Sequence, residues 1–255
     1  MTLLVGVLCS DGVVVAADSF MTLGQGPGQF TISHQARKIE IVSNQVIVAG
    51  TGQVGLGQRF AAKVKELWGN NKLKGTEVES SRIIAEEALK DFSSTGAQRG
   101  SFGALVAFPK SQEVHLCEFA SADMQPELKT KKAWFVSMGS GQSLADPYLA
   151  LMRTVFWSDG PPNVEDGKFA AVWVVQHVLK AAPGFVGPPV DVAVLKKEAG
   201  GIRASFVSED ELEEHLGSVA DADRHFGTWK AAAEKETVAE VPSPPSSTSG
   251  KGQGG

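Results

Sequence analysis

Apolar residues open this chain in short runs broken by turn residues, the pattern of paired strands. Residues 3–8 (Leu-Leu-Val-Gly-Val-Leu) and 13–17 (Val-Val-Val-Ala-Ala) flank Asp11-Gly12, a dipeptide that favours a tight hairpin turn. A second hairpin is predicted from 38–42 and 45–49 across Ser43-Asn44, and the Gly/Pro-rich stretch 24–29 predicts a loop between the two. The period then changes. Leu56, Phe60, Val64 and Trp68 recur every four positions and predict a helix over 52–68. Ile83, Ile84, Ala88 and Leu89 predict another over 77–92.

Strands are predicted at 104–108 and 113–119 around Lys110-Ser111-Gln112, and at 133–138, stopped by Gly139-Ser140-Gly141. Helices follow at 144–156, with Pro147 tolerated in the first turn, and at 169–181. A last hairpin joins 190–195 to 202–207, and a short helix is expected at 209–216. Strands come in antiparallel pairs and helices come in pairs, unlike the strict alternation of a parallel sheet. The expected fold is α+β: two antiparallel sheets face to face, each covered outside by a helix pair, in four αββα layers. Residues 1–230 are expected to form this domain. Residues 231–255, ending Pro-Ser-Pro-Pro-Ser-Ser-Thr-Ser-Gly-Lys-Gly-Gln-Gly-Gly, read as a disordered tail because they offer little to bury.

Composition narrows the function classes. Apolar residues make up 42% and charged residues 21%, ordinary for a globular protein. A formal charge of −5 without a basic block argues against nucleic acid or an acidic membrane as partner. No run approaches the roughly 20 apolar residues of a membrane span, and the chain start lacks a signal peptide's basic region, so a cytoplasmic location is expected. Cys9 and Cys117 sit in apolar runs and read as buried thiols. His34, His115, His177, His215 and His225 show no ligand spacing, so neither a metal nor another cofactor is expected. Gly50-Thr51-Gly52-Gln53-Val54-Gly55 matches the dinucleotide pattern G-x-G-x-x-G, but the strand before it is a hairpin arm and no acidic-ended strand follows the helix.

The chemistry sits at the chain start. Thr2 is small enough that loss of Met1 is expected, which would leave a hydroxyl and a free α-amine on one residue. An amine with a pKa of about 7.7–8.0 is partly neutral near pH 7 and can deprotonate that hydroxyl. Asp18 ends the first hairpin and Lys38 opens the second. If both converge on Thr2, a lysine cation would favour the neutral amine and the developing alkoxide, and the carboxylate would keep the lysine charged. Gly50, at the end of the second hairpin, is a candidate oxyanion donor through its N–H.

Thr2 to Asp18, T-L-L-V-G-V-L-C-S-D-G-V-V-V-A-A-D, resembles the start of mature proteasome β-subunits and of the related bacterial HslV peptidase. Arg37-Lys38-Ile39-Glu40-Ile41, Val46-Ile47-Val48-Ala49-Gly50-Thr51-Gly52 and the segment from Met138 to Ala145 extend the likeness, which covers about the first 205 residues. The resemblance implies an N-terminal nucleophile (Ntn) hydrolase that cleaves peptide bonds, with Thr2 as nucleophile and base. Asp18 and Lys38 would support it, with Gly50 as oxyanion donor and Ser140 beside the amine. Val48, Gly50 and Thr22 would bind substrate, Val48 lining an S1 pocket with a medium apolar preference. Peptides or unfolded proteins would be the substrates, stacked rings the assembly, and an ATP-dependent unfoldase a possible partner. The chain departs from the family in one segment: residues 181–187 carry neither the Asp nor the Ser that the family often places there. A non-catalytic ring subunit, and an amidohydrolase acting on small amides, remain the alternatives.

Overall fold

The first hairpin forms as the Asp11-Gly12 turn dictates. In a computed structural model of the chain, which describes residues 2–23, 32–98, 100–183 and 186–239, β1 (Leu4–Leu8) pairs antiparallel with β2 (Gly12–Asp18). The register sets Leu4 opposite Ala17 and Leu8 opposite Val13. The side chains of 21–23, 32–34 and 233–239 also lie outside the description. A small hairpin follows, β3 (Phe20–Leu23) with β4 (Ile32–Gln35), flanking the expected loop at 24–29, which itself lies outside the described residues.

The second long hairpin is β5 (Ile39–Val42) with β6 (Val46–Gly52). α1 (Val54–Gly69) and α2 (Glu77–Ser93) come next. α2 starts in a capping box: Thr76 Oγ1 accepts from the Glu79 N–H, and the Glu79 carboxylate accepts from the Thr76 N–H. β7 (Phe102–Lys110), β8 (Glu113–Phe119) and the three-residue β9 (Pro126–Leu128) complete one sheet, and β10 (Phe135–Met138) crosses to the other. α3 (Gln142–Phe156) and α4 (Val164–Ala181) pair, and β11 (Val190–Glu198) with β12 (Gly201–Phe206) closes the set.

Among the described residues the long strands form two five-stranded antiparallel sheets, in the orders β10-β1-β2-β11-β12 and β5-β6-β7-β8-β9. Their facing sides share one core, with Leu4, Val13, Val15 and Ala17 meeting Ile47, Ala49, Leu105 and Leu116. The outer face of the second sheet packs Val46, Val48 and Val106 against Phe60 and Val64 of α1 and Ile84 and Ala88 of α2. α3 and α4 cover the outer face of the first sheet. These are the expected four layers. β2 is buried at all seven positions because it has a sheet on one side and α4 on the other. Gly167 lets α4 settle there: an added Cβ would lie 2.5 Å from Cys9 Sγ.

Two boundaries differ most from expectation. α4 starts at Val164, capped by Asn163, whose Oδ1 accepts from the Asp166 N–H at 2.9 Å; the hydrophobic period alone places that start too late. The terminal helix, α5 (Glu209–Ala239), runs well past the predicted 209–216. Residues 1–216 form one compact unit, and the remainder, from Gly217, belongs to a second. In that second unit Phe226 and Trp229 are exposed. The end of the predicted tail, 240–255, lies outside the described residues.

Candidate active site

Asp18 is the anchor of the site. It ends β2, where the chain leaves the sheet, and it is fully buried. Its Oδ1 accepts from the Leu3 N–H at 2.7 Å and from Lys38 Nζ at 2.6 Å. Its Oδ2 accepts from the N–H groups of Phe20 at 3.2 Å and Gly187 at 3.3 Å. The charge therefore enters the interior with four donors around it, as a buried carboxylate requires. The hairpin register explains the first contact: with Leu4 opposite Ala17, the next residues out bring Leu3 to Asp18.

Lys38 arrives just before β5, its side chain 9% exposed. Burial pushes its ammonium below the usual lysine value, and the Asp18 carboxylate pulls the other way. The flanking residue is fixed too. Arg37 pairs with Asp191 at 3.5 Å and lies over the Phe206 ring, while Asp191 accepts from Ser19 Oγ at 2.8 Å.

Thr2 is buried at the edge of this cluster. Its nitrogen donates to Ser140 Oγ at 3.0 Å, and Ser140 Oγ donates back to the Thr2 carbonyl at 3.3 Å. The Gly141 N–H holds the same carbonyl at 3.3 Å. Gly139, at φ +96°, turns the chain beside that carbonyl, where a Cβ would collide with it. The Gly139-Ser140-Gly141 segment is thus a cradle for the backbone of residue 2. The Thr2 hydroxyl itself has no hydrogen-bond partner among the described residues. It borders a cleft of about 580 Å³ that Lys38, Glu40, Val48, Gly50 and Gly52 also line.

Four expected residues (Thr2, Asp18, Lys38 and Ser140) are therefore brought together, and Val48 and Gly50 line the same cleft. Gly50 departs from its expected role. Its N–H donates to the Lys38 carbonyl at 3.2 Å, so it is engaged within the sheet rather than offered to a ligand. Along a strand the N–H groups of residues i and i+2 point to the same edge. Gly52 thus aims its N–H along the edge that Gly50 uses, past the start of β5, and its φ of +107° explains the glycine. Parity along β6 is the signal that the sequence alone lacked. Thr22 stands opposite Ser33 in the small hairpin, and its side chain lies outside the described residues.

Away from the cleft, Glu165, Glu211 and His215 place possible ligand atoms within 4.8 Å of one another, a grouping that the spacing of the histidines did not announce. The Lys168 ammonium already sits on both carboxylates, 2.6 Å from Glu165. Burial, with Lys168 beside it, holds His215 below the usual imidazole value. Among the described residues no helix is long and apolar enough to cross a membrane.

The model of the proteasome subunit family matches residues 2–151, the span that contains every residue of the cradle and of the Asp18–Lys38 pair. The chain belongs to the proteasome subunit family. Solved structures share the fold of this proteasome-family chain. The Gly-1 mutant of Anbu from Hyphomicrobium sp. strain MC1 is 14% identical, with 96% of this chain and 99% of that chain covered and a TM-score of 0.67. Anbu, described as an ancestral beta-subunit, from Yersinia bercovieri is 13% identical over 95% of this chain and 99% of that chain, with a TM-score of 0.63. At those identities the likeness speaks for the fold. No curated protein sequence matches the chain.

Proposed function

We propose that this chain, once Met1 is lost, is a threonine-type endopeptidase that works within a ring of its own copies. One observation carries the reading: the nitrogen of residue 2 sits in a hydrogen-bonded cradle beside a buried aspartate–lysine pair, at the wall of an open cleft. The free amine of Thr2 takes the proton of its own hydroxyl, and the oxygen attacks a peptide carbonyl. The Lys38 cation, kept charged by Asp18, disfavours protonation of the amine and stabilises the negative oxygen. The Gly52 N–H, on the cleft side of the β6 edge, supports the carbonyl oxygen as it becomes an oxyanion. An ester to Thr2 forms, the amine returns the proton to the leaving group, and water releases the acyl product.

Ring assembly, unfolded-protein substrates, a cytoplasmic location and an ATP-dependent unfoldase partner follow from family membership and belong to the same proposal. The test is direct. Mass spectrometry of the purified chain is expected to find Thr2 at the N-terminus, and an epoxyketone-type probe is expected to bond covalently to residue 2. Retention of Met1, or no adduct, would sink the assignment.

Lys38 also predicts the pH dependence. The form that helps is the cation, present below its pKa and lost above it. Because burial lowers that pKa from 10.5, kcat/KM is expected to fall on the alkaline side below pH 10.5. A profile still flat at pH 10.5 would contradict the role.

A second reading has one observation behind it. Among its described residues, the segment before β11 gives Asp18 only the backbone N–H of Gly187, and the sequence holds no Asp or Ser in residues 181–187. A ring subunit without turnover fits that economy, and it predicts an unlabelled Thr2.

A further inference from the structure

Three charged side chains line the cleft beside Thr2: Arg37, Lys38 and Glu40. Two are already balanced, Lys38 by Asp18 at 2.6 Å and Arg37 by Asp191 at 3.5 Å. Glu40 has no ion pair or hydrogen bond from its side chain among the described residues. Among the described residues it is the one charge in the cleft left to an incoming group.

Register fixes the side of the sheet on which Glu40 stands. Glu40 lies directly opposite Val48, and residues so paired share a face. Val48 packs in the core under α1, so Glu40 projects on the α1 side as well. On that side the cleft is walled by Val48, Gly50, Gly57, Ala61 and Phe102. The Phe102 ring in that wall lies 2.9 Å from where a Cβ on Gly50 would stand. Val48, Ala61 and Phe102 are all buried. A slot with apolar walls and one unbalanced carboxylate suits a side chain that is apolar along its stem and cationic at its tip.

Resting on the peptidase reading, we infer that the cleft selects peptides by a lysine or arginine side chain, with Glu40 as the specificity-determining residue. The methylenes lie along Val48, Ala61 and Phe102, and the cation meets Glu40. The medium apolar preference that Val48 alone suggests is the competing outcome.

The test compares two short peptides that are identical except for lysine or norleucine at the residue entering the cleft, the latter being the same stem without an ammonium. Equilibrium binding to the Thr2→Ala chain removes any dependence on turnover. The lysine peptide is expected to bind roughly five- to tenfold more tightly. The ratio should shrink toward one in the Thr2→Ala, Glu40→Gln double variant, and also as salt is raised. Equal binding, tighter binding of norleucine, no binding of either peptide, or a ratio untouched by Glu40→Gln would each overturn the inference. Should Thr2→Ala not fold, the same ratio is read from equilibrium binding of the two peptides to the Thr2→Val chain. Failure to label residue 2 speaks against the peptidase reading alone, because the binding ratio is measured without chemistry.

Discussion

Replacing Thr2 by alanine is expected to abolish epoxyketone labelling and to cut peptide hydrolysis by at least about 10⁴-fold, the scale on which removal of a catalytic nucleophile acts. The fold should survive. The Thr2 hydroxyl bonds to nothing among the described residues, and the contacts that hold residue 2 run through its nitrogen and carbonyl, which alanine keeps. Thermal unfolding of the variant should therefore stay close to that of the parent. Thr2→Ser is the informative companion: it keeps both functional groups and should retain labelling. Turnover that persists in Thr2→Ala at the parental rate would move the chemistry elsewhere in the chain.

The second large effect falls on stability as well as rate. Asp18→Ala removes the acceptor for three backbone N–H groups and leaves Lys38 without its counter-charge in a buried setting. Breaking a buried pair from one side costs about 3–5 kcal/mol, which for a chain of this size lowers Tm by roughly 6–20 °C. Lys38→Ala should cost less, because the Asp18 carboxylate would keep its three N–H donors. Both should lose labelling. Calorimetry on the pair of variants checks the asymmetry, and an Asp18→Ala protein as stable as Lys38→Ala would refute the account of Asp18 as the anchor.

Much of this was legible in the residues, and the reasons are local. The Asp11-Gly12 turn sets the register of the first hairpin, and that register alone carries Asp18 to the residue beside Thr2. Spacings across longer loops say less. The contact between Ser140 and Thr2 spans 138 positions and was reachable only through resemblance to the family. Gly50 was assigned the oxyanion role because a glycine ends the strand, but which edge an N–H faces depends on pairing with β5. A strand of three residues such as β9 has too few positions to show alternation. The start of α4 is written in a cap rather than in an apolar stripe, and α5 continues past Leu216 through residues whose large apolar positions, among them Val219, Phe226 and Trp229, are sparse.

The burial of β2 on both faces also bears on how this protein can diverge. Substitutions along the strand that delivers Asp18 must preserve volume on two sides at once, so descendants are expected to keep its anchor nearly unchanged. Glu40 and Gln58, by contrast, look into water and tolerate exchange at little structural cost. A lineage built on this scaffold is free to reshape the rim of the cleft while its buried carboxylate stays frozen.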